Sequence, residues 1–320
     1  MCDCRSVKGR RRNVRDGGYL FVTFTDGRAD GEQIYFALSR DGLHWQDLNG
    51  GNPVLCSRIG EQGVRDPFLL RTQQNRFVLI ATDLRIANGK GWEAAVSGGS
   101  RSIILWESDD LVHWSKERSV RVGLPEAGCV WAPEAVYDKA RDAYLVFFAS
   151  KVKYPGETEA KHRIYGSYTK DFETFSEAEI YIERENDVID TTIVQENGVY
   201  YRFSKDETEK CIRVDCGADL MGSFVPVGSK TLSGLYGVEG PAVFYVKERQ
   251  AWCLLVDQFA SQKGYLPLLA EHLADGSFTV MEQGSYDMGG IKKRHGSVLS
   301  VTEEEYMRLA KRYGMAEDVV

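Results

Sequence analysis

The sequence predicts an all-β fold, a five-bladed β-propeller, on three observations. Short strand-like runs recur in groups of four with polar turns between them. No helical period interrupts those groups. The two ends of the chain each carry only part of a group, and the parts add up to one more.

In chain order, residues 1–16 come first as a leader that is expected to be disordered. Residues 1–15 carry Arg5, Lys8, Arg10, Arg11, Arg12 and Arg15 against Asp3, a net +5. No apolar stretch follows, so the leader does not read as a secretory signal. The whole chain of 320 residues has a net charge of −7, which leaves −12 for the body. An acidic body argues against nucleic acid as the partner, and no apolar run is long enough to span a membrane.

Residues 17–320 are expected to form a single domain. "GYLFVTF", "QIYFALS" and the stretch after Trp45 supply three strands of an incomplete group. "DPFLLRT", "RFVLIATD", "SIILWES" and "RSVRVG" make the first complete group. "PEAVYD", "AYLVFFAS", "RIYGSYT" and "AEIYI" make the second. "DTTIVQE", "VYYRFSK", "CIRVDC" and "FVPVG" follow, then "GPAVFYV", "AWCLLVDQ", "YLPLLAE" and "FTVM". "HGSVLSV" (295–301) is the missing strand of the incomplete group, so pairing the two ends closes the ring and protects its edges. Two packed sandwiches would leave both incomplete ends unexplained.

A turn motif recurs as "SRDGLHW", "SDDLVHW", "TKDFETF" and "GADLMGSF". Each places an aspartate in a tight turn with an aromatic a few residues on, and reads as structural. A helix over about 302–314 ends the fold, with Thr302 as N-cap, Glu305 at the capping-box position and Gly314 as the stop. Tyr306, Leu309, Ala310 and Tyr313 give it one apolar stripe. The seven cysteines follow no metal-type repeat and read as free thiols, which favours a cytoplasmic location.

Each first strand opens on a short polar motif: "RDP" (65–67), "WAPE" (131–134), "VID" (188–190), "EGP" (239–241) and "RHGS" (294–297). In a propeller these openings converge on one axial funnel. Asp66, Asp190, Glu239 and His295 are therefore expected to share a small space. Turn capping explains any one of them; gathering three carboxylates and an imidazole, whose like charges repel, points to chemistry. One carboxylic acid and one carboxylate suffice for glycoside hydrolysis without another cofactor.

The ordered motifs resemble glycoside hydrolase family 43, propeller enzymes acting on arabinofuranosides and xylosides, over roughly residues 17–301. The resemblance implies Asp66 as general base, Glu239 as general acid, and Asp190 as the carboxylate that orients the acid and tunes its pKa. It implies that His295 holds an axial water or a structural calcium ion. Arg65, Arg294, Trp92 and Trp131 stand beside these motifs and are expected to contact sugar. "VIDTT" departs from the family by lacking a proline after Asp190. Glu134 of "WAPE" is expected to be an internal salt-bridge partner rather than a sugar contact. The glycine-rich segment 82–102 carries Trp92 and is either a lid over a sugar or a plain surface loop.

The activity so implied is exo-acting, inverting release of terminal α-L-arabinofuranosyl residues from arabinose- or xylose-containing glycans. β-D-xylosidase and galactofuranosidase activities are the alternatives within the fold, and a non-catalytic sugar-binding propeller is the alternative outside enzymes. An invertase-like reading lacks its Glu-Cys acid, because Gly240 follows Glu239. A sialidase would need an arginine cluster, and only Arg65 and Arg294 stand beside the motifs.

Overall fold

The computed structural model describes residues 16–314; the basic leader, apart from Asp16, lies outside the described residues. The first three strands are β1 (Asp16–Thr23), β2 (Tyr35–Ser39) and β3 (Gln46–Asp47). Blade 1 follows as β4 (Val64–Arg71), β5 (Phe77–Asp83), β6 (Ser102–Ser108) and β7 (Arg118–Arg121). Blade 2 is β8 (Trp131–Asp138), β9 (Ala143–Val152), β10 (Lys161–Thr169) and β11 (Glu179–Ile182). Blade 3 is β12 (Val188–Glu196), β13 (Val199–Asp206), β14 (Cys211–Gly217) and β15 (Val225–Pro226). Blade 4 is β16 (Glu239–Val246), β17 (Ala251–Asp257), β18 (Tyr265–Ala270) and β19 (Thr279–Val280).

The last strand, β20 (Ser297–Thr302), pairs antiparallel with β1, so the fifth sheet runs β20-β1-β2-β3. Chain closure is thus as the sequence predicts. The five innermost strands β4, β8, β12, β16 and β20 touch one another in succession around the axis.

Apolar side chains fill the gap between each pair of neighbouring sheets, which is why the strands are apolar on both faces. Leu20 and Phe36 meet Leu79 and Trp106; Ile80 and Leu105 meet Val146 and Phe148. Phe147 meets Ile189, Phe203 meets Leu254, and Phe244 closes the circuit against Phe21. The turn motif serves this packing. Trp45 lies 5.2 Å from Phe21 and 6.3 Å from Phe244, and Trp114 lies 6.1 Å from Phe36.

Among the described residues three short α-helices decorate the ring: α1 (Trp92–Ser97), α2 (Lys230–Ser233) and α3 (Glu303–Tyr313). The first lies inside the segment 82–102 that the sequence leaves as a loop. A reciprocal capping box between Thr302 and Glu305 starts α3, and Tyr306 and Leu309 bury its apolar stripe against the fifth sheet. Cys211 and Cys216 are unpaired on β14, and Cys56, Cys129 and Cys253 are also free.

Candidate active site

A bulge at the head of the inner strands builds the site. In blades 1 to 4 the inner strand slips register against its partner between Arg65 and Phe68, Trp131 and Glu134, Ile189 and Thr191, and Glu239 and Ala242. The equivalent residue in each, Asp66, Ala132, Asp190 or Gly240, is left-handed, with φ between 47° and 55°. For a side chain other than glycine that conformation costs about 1–3 kcal/mol, a strain that concentrates at functional sites. It aims Asp66 and Asp190 toward the axis from two different blades. Gly240 is glycine for a local reason: a Cβ there would lie 2.8 Å from the His295 side chain.

His295 is buried at the centre. Its Nδ1 lies 3.5 Å from Asp66 Oδ1 and 3.8 Å from Asp190 Oδ2. Burial alone would lower the imidazole pKa, but Asp190, Asp66 and Glu134 outweigh it and raise it to about 9. Asp66 moves the other way. Burial opposes its charge, yet His295, Arg65 and a hydrogen bond from Thr82 together lower its pKa. The Thr82 hydroxyl donates to Asp66 Oδ2 (2.8 Å) and accepts from the Ala132 N–H (2.8 Å), so its proton is aimed at the carboxylate. Asp66 is therefore an ionised, oriented carboxylate, as a general base requires.

Asp190 is raised to about 6 by burial, with repulsion from Glu239 and Asp66 adding to it against the attraction of His295 and Lys205. Its Oδ2 accepts the Gly240 N–H at 3.1 Å, which ties it to the strand head that carries Glu239. Glu239 is gripped from two sides: Lys205 Nζ lies 2.7 Å from Oε2 and Arg294 Nη2 lies 3.0 Å from Oε1. Arg294 also holds Asp257 through Nε (2.5 Å) and Asp26 through Nη1. Each of its three nitrogens thus meets a carboxylate, which makes it a support for Glu239. Arg65 is likewise engaged, with Nη1 on Glu32 at 2.9 Å and its guanidinium 5.1 Å from the Trp92 ring centroid.

Glu134 corrects an expectation. It forms no ion pair among the described residues and is only 4% exposed. Burial raises its carboxyl to about 8 against the pull of His295 and Thr192, with Asp190 adding to the rise. It is a buried acid beside His295. Calcium takes about six to eight oxygen ligands, and His295 supplies none. Among the described residues no three His, Cys, Asp or Glu side chains are arranged to hold a metal.

At the mouth, Trp92 stands edge-on to Trp131 with centroids 6.0 Å apart, and Trp131 stacks on His162 at 5.7 Å. His162 Nδ1 is 3.0 Å from Asp187 Oδ2. The strand heads in the sequence do not reveal Thr82, Lys205 or Asp257. These residues pair across the ladder with Arg65, Ile189 and Glu239, the positions just before each bulge. A polar residue at the end of the second strand, as in "RFVLIATD", "VYYRFSK" and "AWCLLVD", is the signal that points to them.

Known proteins resemble the chain in sequence and in fold. An α-L-arabinofuranosidase of Bifidobacterium longum is 32% identical over 223 residues, 63% of this chain and 21% of that protein. The chain thus matches about a fifth of the length of that relative. Among solved structures, a putative exo-β-1,3-galactanase from Bifidobacterium bifidum superposes with a TM-score of 0.57 at 12% identity, covering 86% of this chain and 90% of that one. A thermostable family-43 glycoside hydrolase superposes with a TM-score of 0.50 at 17% identity, covering 70% and 74%. At such identities these two share the fold. The model of a probable glycosyl hydrolase domain related to glycoside hydrolase family 43 matches residues 16–307, and the chain belongs to that family.

Proposed function

We propose that the protein is an exo-acting, inverting glycoside hydrolase that releases terminal α-L-arabinofuranosyl residues. The observation that carries this reading is the convergence of Asp66, Asp190 and Glu239 from three blades around the buried His295. The arabinofuranosidase relative supports the choice of sugar over β-D-xylosyl and galactofuranosyl.

Asp66 takes a proton from the attacking water, its charge secured by His295 and its orientation by Thr82. Glu239 takes up a proton from solvent and gives it to the departing oxygen. For that its carboxyl must part from one of the two cations that hold it. Lys205 has an alternative partner in place, since its Nζ is 2.6 Å from Glu207 Oε2. A shift of Lys205 onto Glu207 as the leaving group arrives frees Glu239 Oε2. Asp190 holds the Gly240 backbone and adds negative charge beside the acid. Trp131 and Trp92 offer aromatic faces to the sugar at the mouth.

A panel of nitrophenyl glycosides tests the reading. The α-L-arabinofuranoside is expected to be cleaved fastest, ahead of the β-D-xyloside and galactofuranoside. Cleavage of none of them, with binding retained, would leave a sugar-binding propeller instead.

A further inference from the structure

The starts of inner strands and the ends of second strands lie on the same face of the ring, the face of the funnel. On that face, outward from Trp131, a groove of about 670 Å³ runs between α1 and the turn joining β9 to β10. Its size is that of a small-molecule site. Trp92, Glu93, Glu126, Lys151, Lys153 and Glu159 line it. Trp92 belongs to both places: its ring meets Trp131 and Arg65 on the funnel side, and it forms the near wall of the groove. At 53% exposure it is a large apolar ring left open to solvent.

The wall is built, not loose. Gly99 N–H donates to the Gly128 carbonyl and Gly128 N–H to the Lys151 carbonyl, both at 2.8 Å. A Cβ on Gly128 would lie 2.3 Å from the Val96 carbonyl oxygen, so α1 sits close against blade 2. Ala95 is fully buried beneath it. Around the mouth, charged side chains are paired: Arg65 with Glu32, Arg163 with Glu183, and His162 with Asp187. None of the five charged side chains lining the groove appears in an ion pair or side-chain hydrogen bond among the described residues. Long polar groups of both signs beside an open indole match a chain of uncharged hydroxylated rings: the indole stacks on the apolar ring face and the polar groups bond the hydroxyls.

We infer that this groove binds the leaving-group side of the substrate, a neutral oligosaccharide chain extending outward from the scissile bond. The inference rests on the glycosidase reading for its direction, because Trp92 joins the groove to the funnel. It makes the substrate a terminal sugar on a chain of several residues rather than a disaccharide.

The test uses the full chain and neutral oligosaccharides capped by the terminal sugar, with one, two or four sugars on the leaving side. In the wild type, kcat/KM is expected to rise about tenfold or more with length. Trp92→Ala, and separately the double variant Lys151→Ala, Lys153→Ala, should flatten that rise through KM. A wild-type rate independent of length, or a rise that both variants retain, would overturn the groove assignment. If no glycoside is cleaved, the glycosidase reading fails on its own. Calorimetric titration with the same four-sugar chain then decides the groove. Binding weakened about tenfold by both variants supports it, and absence of binding overturns it.

Discussion

Two sets of aspartates stand in two kinds of turn, and they behave oppositely. In the outer turns, Asp41, Asp110 and Asp171 each accept two backbone N–H groups: from Leu43 and His44, from Val112 and His113, and from Glu173 and Thr174, at 2.8–3.0 Å. The hydroxyls of Ser39, Ser108 and Thr169 accept a third N–H in each turn at 2.9 Å. Despite some burial, Asp41 is held down at about 2 by these bonds; Asp171 is at about 2 and Asp110 is lowered as well. Their charge is spent on the backbone next to them. In the funnel, Asp66 uses Thr82 of the neighbouring strand in its own blade and His295 of the fifth sheet, and Asp190 uses His295 and the Gly240 N–H of blade 4. A carboxylate satisfied by its own turn shapes the chain. One satisfied from other strands and other blades has its ionisation set by the assembled ring.

Breaking the inner set is expected to cost most. Asp66→Asn keeps the shape but cannot accept a proton, and kcat should fall about 10²–10⁴-fold with sugar binding retained. Steady-state rates on both natural and nitrophenyl substrates read it; a near-normal rate would move the base elsewhere. Glu239→Gln should cripple natural linkages far more than nitrophenyl ones, since a nitrophenolate departs without a proton. Equal losses on both would remove Glu239 from the acid role.

Thr82→Val sharpens the contrast at a residue that acts through Asp66. It removes the hydroxyl donor to Asp66, so the ionised form loses support and its pKa rises. The acid limb of the pH–rate profile should move to higher pH, with kcat reduced about tenfold at most. A structural role alone would lower stability and leave that limb in place.

The outer set should do the reverse. Asp171→Asn is expected to lower Tm by a few degrees at most and to leave kcat unchanged. Its folded carboxyl titrates below the usual value of 3.8, so the stability it contributes is present above that pH and is lost as pH falls through about 2. Thermal melts of the two proteins should therefore differ at neutral pH and converge in strong acid. A loss of turnover would contradict the division between the two sets.

The sequence discloses both sets to different depths. Blade count, ring closure through β20 and the α3 capping box are legible because strand period, turn residues and cap residues are local signals. The outer turns are legible for the same reason, with one exception. "GADLMGSF" starts on Gly217 where the others have a hydroxyl, and its turn closes through Gly222 N–H on the Asp219 carbonyl at 3.0 Å. The strand-head motifs bring Asp66, Asp190, Glu239 and His295 into view. They do not reveal the bulge that aims the aspartates, nor the second-strand residues Thr82, Lys205 and Asp257 that hold the cluster. Register slip and cross-strand pairing are properties of two segments at once. The surroundings of Glu134 are not legible in the sequence because its neighbours His295 and Asp190 come from two other blades. Helix α1 is not legible because its six residues, WEAAVS, are too few to show a period.

The central claim, that Asp66 activates water while Glu239 protonates the leaving group, has a stereochemical consequence. Water delivered by a base on the face opposite the acid inverts the anomeric centre in a single displacement. Proton NMR of the first-formed sugar, recorded before mutarotation, reads this directly. The inverted anomer of the released pentose is the predicted product. Initial formation of the retained anomer would make Asp66 a nucleophile and contradict the account.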